Sequence, residues 1–349
     1  MPGVCLACIR SQPQAAREIA LEAHRQSRVH FGLPPKPPDS PGGLPCNICV
    51  NRCRLVENEM GYCGLRRNHN GRLVGATSIA GKLSWYHDPL PTNCVADWVC
   101  PGGTGAGYPK FAYGCGAEVG FKNLAVFFQG CSFNCLFCQN WQFRNQTLTS
   151  PQRTVEELAA DIDERTSCIC YFGGDPAPQM PFAIKASKLA REKAAGRILR
   201  ICWETNGGFN PNLLDEVLQI ALESGGCVKF DLKAWNPALH IALTGVTNQQ
   251  TLDNFARSAE KMGRRPTPPL LIASTLLVPG YIDAREVAAL AGFIAGLNPD
   301  IPYSLLAYHP QFCMFDLPPT SKTLANQCLQ AARDSGLHNV RLGNVHLLI

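Results

Sequence analysis

The chain has 349 residues, 46% of them hydrophobic and 17% charged, with a net charge of +5. A chain of this length can bury a sizeable core, and its composition excludes a disordered protein, a coiled coil and a long charged tail. The charge is too small and too dispersed to favour a nucleic-acid or membrane surface, and the longest apolar stretch, Leu270–Tyr281, falls short of the roughly 20 residues that a spanning helix needs.

The N-terminus lacks the apolar run of a secretory signal, so the sequence predicts a reducing, cytoplasmic setting in which thiols stay free or bind metal. Cysteine is the outlier, with 18 residues, most of them before position 140. Residues 1–45 hold a CxxC pair, Cys5 and Cys8, then one predicted helix from Gln14 to about Arg28 and a proline-rich linker from residue 33. Residues 46–120 are rich in Cys, Gly and Pro, with short strand candidates only, and need a metal or docking to hold their shape. Within them Cys46, Cys49, Cys53 and Cys63 follow a C-x2-C-x3-C-x9-C spacing. Four close thiolates suit zinc or an iron–sulfur cluster equally. Cys94, Cys100 and Cys115, with Cys5 and Cys8, are candidates for a further metal site of open partition. GGTGAG at 102–107 lacks the GK[ST] ending of a phosphate loop and reads as a flexible turn.

From Asn123 onward, strand-like runs alternate with helical ones. The predicted strands are Leu124–Gln129, Cys168–Phe172, Ile198–Glu204, Val228–Leu232, Leu270–Val278 and Tyr303–Tyr308, with a possible last one at Asn339–Leu342. Helix signals lie between them: capping boxes at Thr154/Glu157 and Asp283/Glu286, an opening at Asn210–Pro211 closed by Gly225, and a start at Thr320 or Ser321 closed by Gly336. This alternation predicts parallel βαβ units in an open or partial α/β barrel filling residues 121–349. In such folds the chemistry gathers after the strands' C-terminal ends. There the sequence places GCSFNCLFCQN, Gly173–Pro176, Glu204–Gly208, Asp231–Lys233 and Tyr308–Pro310, whereas the fifth strand ends mainly in a turn. Cys168, Cys170, Cys202, Cys227 and Cys328 stand singly in apolar stretches and read as small buried hydrophobes.

Cys131, Cys135 and Cys138 form C-x3-C-x2-C. Zinc favours four ligands. Three close thiolates suit three corners of a cubane, leaving one iron open to chelate a substrate. With Phe137 before the last cysteine, the segment resembles the radical S-adenosylmethionine (SAM) superfamily. The ordered pieces FFQGCSFNCLFCQNW, YFGGDP, WETNGG, KFDLKAWNPALHIALTGVTNQQTLDNF, LLVPGYID and LLAYHPQ are similar to activating enzymes of glycyl radical enzymes, the pyruvate formate-lyase activase type. The cysteine segment at 46–63 resembles that of radical SAM proteins associated with Memo and AMMECR-type proteins.

The resemblance implies an α/β fold, a partial (β/α)6 TIM-like radical SAM barrel with an N-terminal Cys-rich metal-binding segment. It implies a 4Fe–4S cluster on Cys131, Cys135 and Cys138, with SAM on the fourth iron. SAM would be cleaved reductively to a 5′-deoxyadenosyl radical that takes a hydrogen atom from a peptide or protein substrate. Phe137, Asn140, Gly173, Gly174, Asp175, Glu204, Asp231, Lys233 and His309 fall on the family's SAM-contacting positions. Asp175 stands for the usual Glu, Glu204 for an Asp, and Ser274 for an activase Arg. A flavodoxin- or ferredoxin-type electron donor and an anaerobic setting are also implied; neither membrane nor nucleic acid is expected as a partner. The alternatives are a radical SAM enzyme of another reaction type, acting on a small molecule or a protein residue, and a non-catalytic multi-cluster electron-transfer protein that uses no SAM.

Overall fold

The computed structural model describes residues 2–349. Its centre is an eight-stranded sheet: β1 (Leu83–Pro89), β2 (Lys122–Phe128), β3 (Thr166–Phe172), β4 (Arg200–Thr205), β5 (Val228–Asp231), β6 (Leu271–Leu277), β7 (Tyr303–Ala307) and β8 (Val340–Gly343). Spatial order follows chain order. Strands β2 to β8 pair in parallel, and β1 runs antiparallel along the β2 edge. β1 and β8 do not pair, so the barrel is open, as the alternation of strands and helices predicts. The last strand candidate is real, making a seventh parallel strand. The antiparallel edge comes from the Cys-rich stretch, whose strand signal is masked by its surroundings.

Parallel strands covered on both faces read as continuous apolar runs, and the two faces of this sheet differ. The outward residues, including Ile169, Tyr171, Ile201, Trp203, Val228 and Phe230, are fully buried in the main core under the helices α3 (Val155–Ala160), α4 (Met180–Lys193), α5 (Leu214–Ser224), α6 (Pro237–Thr244), α7 (Gln249–Ala259), α8 (Ala284–Leu297) and α9 (Lys322–Asp334). The inward residues include Cys168, Cys170 and Phe172 on β3, Arg200, Cys202 and Glu204 on β4, Lys229 and Asp231 on β5, Leu276 on β6 and Leu306 on β7.

Helix starts follow the sequence signals. Thr154 and Glu157 complete a capping box, Ser321 accepts from the Leu324 N–H, and Gly225 closes α5 in the left-handed region. The Asp283/Glu286 pair is a correction. Asp283 caps α8, but the Glu286 carboxylate turns away to accept from the Asn236 N–H at 2.5 Å, because a tertiary donor competes with the local one. Two further helices precede the sheet in sequence, α1 (Leu6–Ser11) and α2 (Pro13–Val29). They are held by Arg10 to Asp283 at 2.8 Å and by buried His24, whose Nε2 lies 3.1 Å from the Ala242 carbonyl in α6. Among the described residues no helix is long and apolar enough to cross a membrane.

Candidate active site

The loop after β2 carries Cys131, Cys135 and Cys138. Its N–H groups at Asn134 and Leu136 donate to the Thr244 and Leu243 carbonyls at 2.9 and 3.0 Å. The loop thereby satisfies the orphan carbonyls at the C-terminus of α6, and this fixes its path. Beside it the loop after β3 turns sharply. Gly174 has φ +26°, and a Cβ there would stand 2.2 Å from the Phe128 carbonyl oxygen; at Gly173, φ +66°, it would strike the Phe127 ring. Only glycine passes at this point. Asp175 follows, its N–H donating to the Gly130 carbonyl at 2.9 Å.

These loops and the ends of β4 and β5 border a cleft. Cys131, Cys135, Cys138, Phe137, Asn140, Gly174, Asp175, Glu204, Asp231 and Lys233 all line it. His309 does not: it is exposed after β7 and absent from the cleft wall, as is Gly173, which acts through the turn. Sequence reasoning passed over Arg144 and Asn206, which also line the cleft. Asn206 sits inside the ETNGG segment already noticed. Arg144, buried and donating to Asn134 Oδ1 at 3.2 Å, carries no motif of its own.

The polar groups are tightly partnered. Lys233 Nζ lies 2.8 Å from Asp231 Oδ2, an ion pair between the last residue of β5 and the loop just beyond it. Asp231 Oδ1 accepts from Ser274 Oγ at 2.8 Å, so the serine standing where activases carry arginine is tied to this carboxylate. Asp175 accepts from the Asn206 N–H at 2.6 Å and from Thr205 Oγ1 at 3.0 Å. Burial nevertheless pushes its carboxyl up to about 7. Burial likewise raises the Cys135 thiol to about 12 and Cys131 well above its ordinary value. Buried thiols that resist ionisation in the apo state are suited to losing their protons to a metal.

The chain fits a three-thiolate cubane. Three cysteines line the cleft, and two donors already aim at one sulfur: the Phe133 N–H at 3.3 Å and Asn206 Nδ2 at 3.6 Å from Cys131 Sγ. Such bonds to sulfur set a cluster's potential. Phe133 and Phe137 are buried against the loop and shield it from water. Among the described residues no three His, Cys, Asp or Glu side chains converge on a point as the ligands of one ion would. Ligands of a cubane bind separate irons and need not.

The second cysteine group is gathered in the same neighbourhood. Cys46, Cys49 and Cys53 are buried and Cys63 half-buried. Burial raises Cys63 and Cys49, and brings Cys53 to about 12. Their loop docks on the active site itself: Val50 N–H donates to the Gly208 carbonyl at 2.7 Å, and Asn51 Nδ2 to the Ser132 carbonyl at 2.6 Å. The third expected group is dispersed. Cys94 and Cys100 line a cavity inside the barrel, whereas Cys5, Cys8 and Cys115 are exposed and do not line it. Cys168, Cys170, Cys202 and Cys227 are buried as expected, but they are not isolated: all four border that same cavity. Single-strand reading misses this because it does not show which faces meet across the sheet. Cys328 is a plain core residue of α9.

Residues 125–291 match the family model of the Radical SAM superfamily. The chain is 26% identical over 307 residues to an uncharacterized protein, MJ0808, of Methanocaldococcus jannaschii, covering 86% of this chain and 81% of that one. It is 28% identical over 194 residues to the pyruvate formate-lyase-activating enzyme of Staphylococcus aureus, covering 53% of this chain and 73% of that protein. A solved domain of a pyruvate-formate lyase-activating enzyme from Bacteroides vulgatus superposes with a TM-score of 0.41 at 23% identity, covering 50% of this chain and 98% of that one.

Proposed function

We propose that this radical SAM enzyme binds a 4Fe–4S cluster through Cys131, Cys135 and Cys138, and SAM beside it, to abstract a hydrogen atom from a peptide or protein substrate. The observation that carries the reading is the single cleft in which three thiols and no fourth cysteine meet the glycine turn, Asp175, Glu204, Asp231 and Lys233. Together the cluster and SAM supply reductive cleavage of the sulfonium and a hydrogen-abstracting carbon radical.

The chain's own residues bind and orient. The turn at Gly173–Gly174 opens backbone surface to the methionine part of SAM. Lys233, held charged by Asp231 despite its burial, faces the SAM carboxylate. Asp231 and Glu204 present acceptors to ribose hydroxyls. Phe137, whose ring centroid is 5.9 Å from Lys233 Nζ, excludes water from the sulfonium side. The Cys46–Cys63 group would hold a second centre and fix the loop that bears on Ser132 and Gly208; zinc and an iron–sulfur cluster both take four thiolates, and the sulfurs' failure, among the described residues, to converge on one point favours the cluster. Similarity to the S. aureus pyruvate formate-lyase-activating enzyme supports a peptide or protein substrate; a flavodoxin- or ferredoxin-type protein is the proposed electron donor.

Anaerobically reconstituted, dithionite-reduced protein is expected to form 5′-deoxyadenosine from SAM. Replacing Cys131, Cys135 and Cys138 by Ala is expected to abolish product. A cluster-loaded wild type that forms no 5′-deoxyadenosine would instead favour electron transfer without SAM.

A further inference from the structure

Below the SAM cleft, deeper in the barrel, lies a cavity lined by Cys94, Cys100, Cys168, Cys170, Cys202 and Cys227. In a chain that is about 5% cysteine this concentration is not local sequence bias. The six come from four separate segments: the loop after β1, strand β3, strand β4 and the entry to β5. Strand register brings them together. Cys168 and Cys170 are two apart on β3 and share its inward face. Cys202 lies directly across from Cys170, and Cys227 Sγ is 3.9 Å from Cys202 Sγ.

Cys170, Cys202 and Cys227 pack with Ala96 and Ile272, and Cys94 and Cys100 lie against them, as small buried thiols do. They also border the cavity, and a lysine stands among them. Lys229 is 1% exposed and pairs with Glu204 at 3.1 Å. Its ammonium also donates to Cys94 Sγ at 3.0 Å and Cys170 Sγ at 3.1 Å. A buried ammonium is costly unless negative charge and good acceptors surround it, and neutral thiols are weak acceptors. Glu204 supplies one negative charge, and thiolates bound to iron would add more charge and better acceptors than neutral thiols. The sulfurs ring a cavity instead of closing on one point, which suits a polynuclear centre better than a single zinc ion.

We propose that the barrel lumen holds a further iron–sulfur cluster, ligated from among Cys94, Cys100, Cys170, Cys202 and Cys227, with Lys229 as its countercharge. Glu204 lines both this cavity and the SAM cleft, so the second centre shares a wall with the first. The inference rests on the cavity's own residues and stands apart from the reading of the SAM cleft.

The test is iron and sulfide content, with EPR, on the full chain reconstituted anaerobically. Two variants are used: C170A/C202A on the strands, and C94S/C100S on the half-buried loop, which leaves the sheet untouched. The expected result is a loss of about two to four irons and matching sulfide per chain in both variants, while the EPR change of the remaining reduced cluster on adding SAM persists. Unchanged iron and sulfide in C94S/C100S overturns the proposal, as does zinc in place of iron or a Cys202–Cys227 disulfide in the anaerobic wild type. Loss of the SAM response with lumen iron intact counts against the SAM reading alone.

Discussion

At the scale of single residues the cleft depends on groups with no substitute. Gly174→Ala would drive a Cβ to 2.2 Å from the Phe128 carbonyl and 2.6 Å from that of Gly130, both backbone atoms that cannot swing aside. The expected outcome is loss of measurable SAM binding by calorimetry, together with a stability loss of about 1–3 kcal/mol. Lys233→Met removes the cation but keeps the apolar stem. It is expected to raise the KM for SAM about tenfold or more, one charge-assisted hydrogen bond being worth about 1.5–3 kcal/mol, while far-UV circular dichroism stays unchanged. An unaltered KM would show that Lys233 serves only its ion pair with Asp231. Much of this site was legible because its residues stand in short runs: Cys131–Cys138, Gly173–Asp175, Asp231–Lys233. Arg144 and the lumen cysteines were not legible, since their meaning arises only from neighbours brought across the sheet. His309 shows the converse, a motif position that the chain leaves exposed after β7.

At the scale of elements, the parallel strands were readable from apolar runs and the helices from their caps, because both signals are local. The antiparallel β1 was not, since Leu83–Pro89 is exposed along much of its length and earns its place by pairing with β2. Two contacts between elements carry testable energetics. Arg200 on β4 donates to Glu118 at 2.6 and 2.8 Å, to Ser167 at 2.9 Å and to the Phe111 carbonyl at 3.0 Å, sealing the floor of the barrel. Arg200→Met strands a buried carboxylate and is expected to cost about 3–5 kcal/mol in urea unfolding; adding Glu118→Gln should restore part of it. His24 joins the N-terminal helix to α6, and burial lowers it to about 4. The unfolded chain therefore binds the extra proton between about pH 6.5 and 4, so stability held above that window is lost as pH falls through it. Asp175, shifted upward, acts in the opposite direction over much of the same range, so the informative quantity is a difference. The stability advantage of wild-type apoprotein over His24→Gln should shrink by up to about 3 kcal/mol from pH 7 to pH 4. A pH-independent difference would show that His24 is not held neutral.

At the scale of the whole molecule, three cysteine-bearing regions converge on one end of an open barrel. The loop after β2 brings the three-thiol group, the front segment docks through Val50 and Asn51 onto the same loops, and the lumen cysteines lie beneath, separated from the cleft by Glu204. The sequence announced the first two through spacing; the third needed the fold, because its members are scattered from Cys94 to Cys227. The architecture gives each a different surrounding: the cleft at the strand ends, a docking loop and a cavity in the barrel lumen. The central claim concerns the first, that three protein thiolates leave one iron free for SAM. It is tested most directly by electron–nuclear double resonance on the reduced, anaerobic wild type with SAM labelled at its carboxylate oxygen. The account predicts a cluster EPR signal that changes on adding SAM and shows hyperfine coupling to the labelled oxygen. A signal indifferent to SAM, without coupling, in a protein whose Cys131–Cys138 cluster is fully formed would contradict it.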